Sequence, residues 1–231
     1  MISVVIPTLN AAATLPACLA ALLPATVDGL VRQVIISDGG STDETAAIAG
    51  EAGADVVLGQ KGRGPQLAVG AQQARADWLL FLHADTVLQP GWEQAAEAFM
   101  GHSSTREGGL QRAGYFRFRL DDRKAGARLV EAGVALRCRL LRLPYGDQGL
   151  LIPRVFYEAL GGYRPMPMME DVDLVDRIKK EGTLTAIPAR AVTSAARYRT
   201  DGYAARVLKN ARCIAAYKRG VPAERIAEMY R

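Results

Sequence analysis

Two side chains able to bind a metal ion, His83 and Asp85, follow the apolar segment 77–82 and stand two positions apart. If a strand continues through them, its period of two aims both side chains to the same side. At the carboxyl end of a central strand they could hold a divalent cation against substrate phosphates. An equally compatible interpretation is that Asp85 caps the following turn and His83 is a core residue.

A second acidic group, Glu170, Asp171 and Asp173, opens a predicted helix over 170–181. Acids in a first helical turn usually just complement the helix dipole. The later acids also have basic partners four residues on, as Asp173 has Arg177 and Asp176 has Lys180. Asp171 instead heads the stripe of Val175 and Ile178, so it should face the sheet, where a carboxylate is a candidate general base.

The third segment, 60–66, sets Lys61 and Arg63 among glycines before a predicted helix. Such a loop can approach phosphates through its backbone amides, with the cations adding charge. It lacks the spacing and the terminal Lys-Ser/Thr of a P-loop, and a surface turn could have the same composition.

The elements that must position these groups follow the pattern of an α/β fold. The first 90 residues alternate short apolar runs with helical patterns, which is typical of a parallel sheet flanked by helices. Ser41 and Glu44 match a capping box before a helix. Ligands of open α/β sheets bind at the carboxyl ends of the strands, so the loop after the second strand, 38–40, is a candidate binding loop. The predicted strands are 3–6, 33–37, 55–58 and 78–82.

The second half is predicted to be mixed. A polar Gly/Ser/Arg stretch follows the helix over 92–100. Strands are expected at 115–120, 184–187 and 192–198, with a Gly-rich turn and a short strand within 145–152. Helices are expected at 124–143, 154–160 and 170–181, followed by two C-terminal helices. We therefore predict a single domain with a nucleotide-binding half at 1–90, an acceptor and catalytic half at 91–200, and basic helices at 201–231.

Length and composition fit one globular domain. The chain has 231 residues, of which 49% are hydrophobic, and its three cysteines lack disulfide or metal-site spacing. No leader sequence and no uninterrupted apolar stretch of spanning length is apparent. These features favour a cytoplasmic protein with buried thiols.

The net charge of +5 is concentrated in the C-terminal part, where residues 190–231 hold ten Lys/Arg and three Asp/Glu. Apolar residues recur there at helical spacing: Ala204, Val207, Leu208, Ala211, Ile214 and Ala215. The preferred interpretation is a helix that packs this stripe on the domain and leaves a basic face in water. The alternative is attraction of the basic helices to anionic lipid, giving peripheral membrane contact. Nucleic acid is not expected as a partner, because no nucleic-acid-binding motif accompanies the charge.

Taken in order, four motifs resemble those of the inverting glycosyltransferases of family 2, which have the GT-A fold. They are Val4-Val5-Ile6-Pro7-Thr8-Leu9-Asn10, Ile36-Ser37-Asp38-Gly39-Gly40-Ser41-Thr42-Asp43, Phe81 to Thr86, and Glu170-Asp171-Val172-Asp173. The resemblance covers roughly residues 2 to 182.

The resemblance implies roles for the matching positions. Thr8 and Asp38 would contact the nucleobase, with Asp38 accepting an imide proton, which favours uridine, and Asn10 would stand near the nucleotide. Asp85 would hold Mg²⁺ or Mn²⁺ against the diphosphate, although His83 replaces the first acid of the D-x-D motif. The predicted nucleotide-binding set is Pro7, Thr8, Asn10, Asp38, Lys61, Arg63, His83 and Ala84.

The resemblance also implies that Asp171 is the catalytic base, supported by Glu170. Asp147 and Gln148 follow a turn near the expected sugar or acceptor site, but residues of these types could equally satisfy turn amides. The expected donor is a nucleoside-diphosphate sugar, and the acceptor is a small molecule or a lipid-linked hydroxyl. A non-catalytic nucleotide-sugar-binding protein and, less favoured, a nucleotide-sugar pyrophosphorylase are the alternatives.

Within the family, three segments look like a small bacterial subgroup of radical-SAM-associated, arsenosugar-biosynthesis-type transferases. They are Leu82-His83-Ala84-Asp85-Thr86, Pro144-Tyr145-Gly146-Asp147-Gln148-Gly149 and Met168-Met169-Glu170-Asp171-Val172.

Overall fold

The computed structural model describes residues 1–104 and 111–230. Within this range one eight-stranded sheet has the strand order β3-β2-β1-β4-β7-β6-β8-β5. Its strands are β1 Ile2–Thr8, β2 Val31–Asp38, β3 Asp55–Leu58, β4 Trp78–Phe81, β5 Thr86–Leu88, β6 Arg112–Leu120, β7 Leu150–Pro153 and β8 Thr183–Thr193. The sheet is mixed and mainly parallel, which confirms the predicted α/β class.

Helices cover both faces of this sheet. They are α1 Leu15–Ala20, α2 Leu23–Val27, α3 Thr45–Glu51, α4 Arg63–Gln72, α5 Trp92–Ser104, α6 Ala125–Leu141, α7 Arg154–Ala159, α8 Glu170–Glu181, α9 Ala196–Asp201, α10 Tyr203–Lys218 and α11 Ala223–Tyr230. A 3₁₀ turn, Gly146–Gln148, precedes β7. In the described part of the chain no helix is both long and apolar enough to cross a membrane.

The core lies on both faces of the central strands, which explains why those strands are apolar throughout. Val4 and Ile6 of β1 join a cluster on one face, and Val5 joins the cluster on the other. This split follows the alternation of side chains along a strand. The three cysteines are buried free thiols, as predicted.

Strand direction brings the sequence motifs to one edge of the sheet. β1, β2 and β4 are parallel, so Thr8, Asp38 and the residues after Phe81 lie at a shared carboxyl edge. β7 runs antiparallel to β4 and pairs Leu150 with Phe81. The 3₁₀ turn before Leu150 therefore lies at that same edge.

Two predicted strands, 184–187 and 192–198, are one continuous strand, β8. The predicted strand at 192–198 ends at Thr193, because the Asp121 carboxylate accepts the Ala195 N–H at 2.6 Å and the chain turns into α9. The predicted Gly-rich turn and short strand within 145–152 are confirmed as the 3₁₀ turn and β7, which begins at Leu150. The predicted polar stretch after α5 lies largely outside the described residues.

The predicted capping box is also wrong. The Ser41 hydroxyl donates to Asp38 and accepts the Asn10 N–H instead of capping a helix. The helix α3 begins later, at Thr45, whose N–H is accepted by Asp43 at 3.1 Å.

The preferred interpretation of α10 is wrong as well. Its stripe of Ala204, Leu208 and Ala211 faces outward, whereas Arg206 is only 5% exposed. The buried guanidinium is held by Asp201 at 3.1 Å and lies 4.3 Å from the centre of the Tyr230 ring. The helix therefore packs with Arg206, Cys213 and Ala216 inward, while its alanine-rich stripe and Arg212 remain exposed.

Candidate functional site

The loops after β1 and β2 form one hydrogen-bonded unit around Asp38. Its carboxylate accepts hydrogen bonds from Thr8 Oγ1 at 2.8 Å, from the Gly40 N–H at 3.0 Å, and from the N–H and hydroxyl of Ser41 at 2.7 and 2.5 Å. Burial alone would raise the pKa of Asp38, but these hydrogen bonds lower it below its ordinary value. The carboxylate is therefore held as an anion inside the loop.

This arrangement differs from the predicted nucleobase contact of Asp38. A carboxylate has about four lone-pair directions, and four protein donors already use them. Thr8 and Asp38 are each 2% exposed, and Pro7 is buried in the strand. These three buried residues support the binding loop. The exposed part of the loop is formed by Asn10, Gly40 and Thr42.

Asn10 joins the two loops from outside. Its backbone has a φ of 52°, in the left-handed region that Asn tolerates better than most residues. Its side-chain oxygen accepts the Thr42 N–H at 2.9 Å. Asn10 is thus exposed at the predicted nucleotide surface while fixing the shape of that surface.

Gln66 of α4 is a site-shaping residue that sequence reasoning missed. It is buried, and its Nε2 donates to the carbonyls of Thr8 at 2.5 Å and Ser37 at 2.8 Å. This side chain ties the carboxyl ends of β1 and β2 to the helix that follows the basic loop. A glutamine in the polar segment 60–66 carried no signal that it would be buried.

The two cations of the basic loop have different environments. Lys61 is exposed, and Arg63 opens α4 with its Nε 3.0 Å from Glu170 Oε1. The charge of Glu170 raises the pKa of Arg63, and Asp171 and Asp147 add to the effect. Arg63 therefore lies among the acidic residues of the site, and Lys61 lies at its surface.

His83 and Asp85 do not continue a strand, so the predicted alternation is wrong. β4 ends at Phe81, and the His83 carbonyl accepts the Thr86 N–H at 3.1 Å, which makes a turn. Asp85 is exposed and makes no hydrogen bond or ion pair within the described chain, so it does not cap that turn. Ala84 between them is buried.

Gly146 is the point where three sequence motifs meet. Its N–H donates to Asp171 Oδ2 at 2.7 Å. A methyl group on Gly146 would lie 2.7 Å from His83 Nε2 and 3.4 Å from Asp171 Oδ2. The histidine after β4, the turn before β7 and the carboxylate at the start of α8 are therefore in direct contact.

Asp171 is held in a defined orientation. While Oδ2 accepts from Gly146, Oδ1 accepts the Val172 N–H at 2.8 Å. The preceding Met169 has a φ of 68°, a conformation unusual for this residue type. Val175 and Ile178 are buried below it, which confirms the predicted inward stripe of α8.

The remaining acids of α8 form ion pairs. Asp173 pairs with Arg177 at 2.6 Å as predicted, but the carboxylate is buried and also binds Arg164 at 2.9 Å. Asp176 pairs with Lys179 and Lys218, not with the predicted Lys180. Of the acids of α8 discussed above, Asp171 and Glu170 thus remain for the site.

Glu170 is 1% exposed, and within the described chain neither carboxylate oxygen makes an aligned hydrogen bond. Burial raises its pKa, the nearby Arg63 opposes that rise, and Asp171 adds to it. Glu170 therefore anchors Arg63 next to Asp171, at the wall of the site.

Asp147 and Gln148 are adjacent in the 3₁₀ turn but have different surroundings. Gln148 is 1% exposed, and its amide donates to the Phe116 carbonyl at 3.0 Å and accepts from the Tyr145 N–H at 3.3 Å. Those contacts differ from the predicted sugar or acceptor contact and make Gln148 a turn-fixing residue. Within the described chain Asp147 Oδ1 is buried without a hydrogen-bond partner.

The charge environment of Asp147 places Asp85 in the same site. Burial raises the pKa of Asp147 to about 7; Arg137 and Arg63 oppose this rise, and Asp171 and Asp85 add to it. Asp147 therefore lies within electrostatic range of both carboxylates. The pKa of the His83 imidazole falls to about 3, because the ring is desolvated and near the cations Arg63 and Arg197. The ring is neutral at pH 7.

Arg197 comes from a segment predicted to be a strand and was missed for that reason. It lies at the start of α9, close enough to affect His83, and donates to the Tyr230 hydroxyl at 3.3 Å. Tyr230 of α11 in turn affects the pKa of Arg63. Residues of the C-terminal helices α9 and α11 therefore lie within electrostatic range of the site.

The space between these groups is narrow. A cavity of about 10 Å³, room for roughly one water molecule, is lined by residues including His83, Gly146, Tyr163, Glu170 and Asp171. A larger surface cavity of about 450 Å³ shares none of these residues and lies against α7 and α8.

The site fits a metal ion that takes some of its ligands from the protein and the others from the substrate. No group of three His, Cys, Asp or Glu side chains in the described part of the chain is arranged to hold a metal ion alone. The exposed Asp85 carboxylate supplies one hard oxygen ligand, and the neutral His83 ring lies two residues before it. Mg²⁺ commonly keeps several waters and takes other ligands from substrate phosphates, so this donor set is sufficient.

Residues 3–105 match the model of the family "Glycosyl transferase family 2". A curated relative, the PGL/p-HBAD biosynthesis glycosyltransferase of Mycobacterium tuberculosis (strain ATCC 25618 / H37Rv), is 39% identical over 95 residues. That alignment covers 38% of this chain and 36% of the relative, so the chain matches about a third of the relative's length.

Solved structures share the fold over much more of the chain. Glucosyl-3-phosphoglycerate synthase from Mycobacterium tuberculosis, in complex with Mn²⁺, UDP and glucosyl-3-phosphoglycerate, aligns with a TM-score of 0.61 and 22% identity. The alignment covers 96% of this chain and 81% of that protein. Its complex with Mg²⁺ and UDP aligns with a TM-score of 0.58 and 25% identity, covering 84% and 71%. The GT-A fold expected from the sequence is confirmed.

Proposed function

We propose that the chain is an inverting glycosyltransferase of family 2 that moves a sugar from a nucleoside-diphosphate donor, UDP in preference, to an acceptor hydroxyl. The observation that carries the proposal is the junction at Gly146, which contacts both the His83 ring and the Asp171 carboxylate. It joins a metal-binding turn and a candidate base in one cleft. The family match supports the proposal over residues 3–105.

The nucleotide would lie on the loops after β1 and β2. Asn10 is exposed there, and Pro7, Thr8 and Asp38 define the loop beneath. A nucleobase could hydrogen-bond to the Asp38 carboxylate only if one of its present hydrogen-bond donors, such as the Ser41 hydroxyl, were displaced. Lys61 and Arg63 would face the diphosphate, with Ala84 and His83 beside it.

A divalent ion, Mg²⁺ or Mn²⁺, would be held by Asp85 and would offset the charge that develops on the departing diphosphate. The solved neighbours named above contain these ions together with UDP. The donor set of the site is compatible with this assignment, because the substrate supplies the missing oxygen ligands.

The reaction at the sugar is a single displacement. The acceptor oxygen forms a bond to the anomeric carbon while the bond from that carbon to the diphosphate oxygen breaks, and the acceptor proton passes to Asp171. The two hydrogen bonds to Asp171 orient the carboxylate for this transfer. Glu170 would act as a positioning residue that holds Arg63, and Asp147 would contact the sugar or acceptor.

We further propose membership of the radical-SAM-associated, arsenosugar-biosynthesis-type subgroup. Its support is that the three segments carrying that resemblance, around His83, Gly146 and Asp171, converge in space. The acceptor is proposed to be a small molecule or a lipid-linked hydroxyl.

A thermal-shift screen of nucleoside-diphosphate sugars with and without Mn²⁺ tests the donor class. A ligand at a hundred times its dissociation constant stabilises the native state by roughly 2.7 kcal/mol, so a true donor gives a clear shift. Absence of a shift with every nucleotide sugar, with metal present, would contradict the proposal.

Hydrolysis or transfer of the donor so identified then tests the base. Asp171→Asn should keep the thermal shift and lose turnover by on the order of a hundredfold or more. Asp176→Asn, on the same helix but paired with surface lysines, is the matched control and should keep wild-type turnover. Full turnover by Asp171→Asn would eliminate the proposed base.

A further inference from the structure

The helix α6 presents a row of leucines to the exterior. Leu129, Leu136 and Leu140 are spaced by seven and four residues, which places them on one helical face. Their exposed fractions are 74%, 57% and 68%. The opposite face, with Ala127, Val130, Val134 and Cys138, is buried against the domain. The apolar character of α6 therefore exceeds what packing on the sheet requires.

The helix α10 shows the same excess. Its buried face contains Arg206, Cys213 and Ala216, while Val207 and Leu208 are 44% and 51% exposed. The exposed alanines of the helix continue the outward apolar side. Large apolar patches on a protein surface commonly mark binding sites.

These two helices are neighbours. A methyl group on Gly126 near the start of α6 would lie 2.8 Å from the Tyr203 ring at the start of α10, and the Tyr203 hydroxyl donates to Asp122 at 2.6 Å. The end of α6 is also close to the catalytic cleft along the chain. Arg137 of α6 donates to the Leu143 carbonyl at 2.9 Å, and Gly146 follows three residues later.

The surface around these leucines is strongly basic. Residues 123–142 contain six Lys/Arg and one acid, and residues 203–219 contain five Lys/Arg and no acid. Because the whole chain carries only +5, the rest of it is net negative. Within these two segments, six exposed cations form no ion pair with the described residues: Arg123, Lys124, Arg139, Arg142, Arg212 and Arg219.

We propose that the outward faces of α6 and α10, here the α6/α10 face, form a docking surface for an anionic lipid bilayer. The leucines would enter the boundary between head groups and acyl chains, and the surrounding cations would meet lipid phosphates. This surface includes α6, which precedes the basic C-terminal helices in the sequence. Docking through it would place the catalytic cleft beside the lipid head groups.

Two other occupants fit less well. A second copy of the chain would bring two strongly positive surfaces together, and like-charge contact of that kind is costly. Nucleic acid would satisfy the cations but would leave the leucines in water, since protein–nucleic acid interfaces are mostly polar. A bilayer with anionic lipid matches both features.

Vesicle flotation with the full chain tests the docking surface without any sugar substrate. The chain should float with vesicles of 70% phosphatidylcholine and 30% phosphatidylglycerol, and bind at least tenfold more weakly to pure phosphatidylcholine. Leu136→Ser/Leu140→Ser should reduce binding by on the order of tenfold. Arg139→Gln should reduce it about fivefold, the factor equivalent to ~1 kcal/mol for one basic residue near an anionic surface.

A matched double variant, Leu23→Ser/Val27→Ser, removes exposed apolar side chains from α2 and should float like the wild type. The leucine variants should keep the thermal shift given by the nucleotide donor, so loss of membrane binding is separable from failure of the proposed function. Equal binding to neutral and anionic vesicles would overturn the proposal. So would wild-type flotation of Leu136→Ser/Leu140→Ser, a leucine-dependent dimer in light scattering, or preferential binding to a DNA duplex.

Discussion

Gly146 determines how closely the His83 imidazole and the Asp171 carboxylate approach the chain between them. Because both groups lie against its α-carbon, a side chain at this position would occupy the space they share. The glycine is required by this close approach, not by an unusual φ. At the scale of single residues, the geometry of the cleft depends on this missing side chain.

Gly146→Ala should therefore displace His83 or Asp171 and reduce turnover by on the order of a hundredfold, the effect of a misplacement of about 1 Å. Turnover of the donor found by thermal shift, measured beside the melting temperature, checks this. Gly133→Ala is the matched control, because a methyl group there meets nothing within 4 Å; it should keep wild-type turnover. Equal turnover of the two variants would show that the close packing at Gly146 is not needed for activity.

Asp147 makes stability depend on pH. Its pKa is about 7 in the folded chain and 3.8 ordinarily, so between pH 4 and 7 the folded state retains a proton that the unfolded state releases. This residue's contribution to stability is therefore present in full below about pH 4, falls as the pH rises, and is lost above 7.

Asp147→Asn should gain stability relative to the wild type as the pH rises from 4 to 7, by at most ~1.4 kcal/mol per pH unit, and hold that advantage above 7. Urea unfolding of both proteins across this range measures the difference. Two parallel stability curves would show that Asp147 is not buried as described.

At the scale of elements, Gln66 connects α4 to the two strands that carry the nucleotide loops. Its amide donates to the carbonyls of Thr8 and Ser37, and the Thr8 carbonyl also accepts the Gly39 N–H at 2.9 Å. The position of the basic loop relative to the Asp38 loop therefore depends on one buried side chain.

Gln66→Ala should destabilise the chain by ~1–3 kcal/mol, because two buried carbonyls lose the hydrogen bond from the Gln66 amide. It should also weaken binding of the nucleotide sugar. Chemical unfolding and titration with the donor measure the two effects. Gln72→Ala, at the exposed end of the same helix, should change stability by no more than ~0.5 kcal/mol. A Gln66→Ala variant as stable as Gln72→Ala would contradict the assigned role.

At the scale of the whole molecule, the sequence predicts the elements well where a local pattern and the global fold agree. The apolar runs that became β1 to β4 and the inward stripe of Val175 and Ile178 are of this kind. Asp85 and Asp171 could be selected because they follow an apolar strand and head an apolar stripe.

Features that depend on contacts distant in sequence could not be predicted this way. The turn at Ala195 depends on the Asp121 carboxylate, which lies 74 residues earlier, so Arg197 was placed in a strand. The orientation of α10 depends on Asp201 and on Tyr230 of the next helix, which hold the buried Arg206. Saturation of the Asp38 carboxylate likewise required the positions of Thr8 and Ser41.

We propose that a metal-bridged diphosphate occupies the carboxyl edge of the sheet at Asp85. Calorimetric titration of UDP with and without Mn²⁺ tests this proposal most directly. We expect Mn²⁺-dependent binding in the wild type, weakened by on the order of tenfold or more in Asp85→Asn. Binding should be unchanged in Asp77→Asn, whose exposed carboxylate lies at the opposite end of β4. Mn²⁺-dependent binding by Asp85→Asn with wild-type affinity would contradict it.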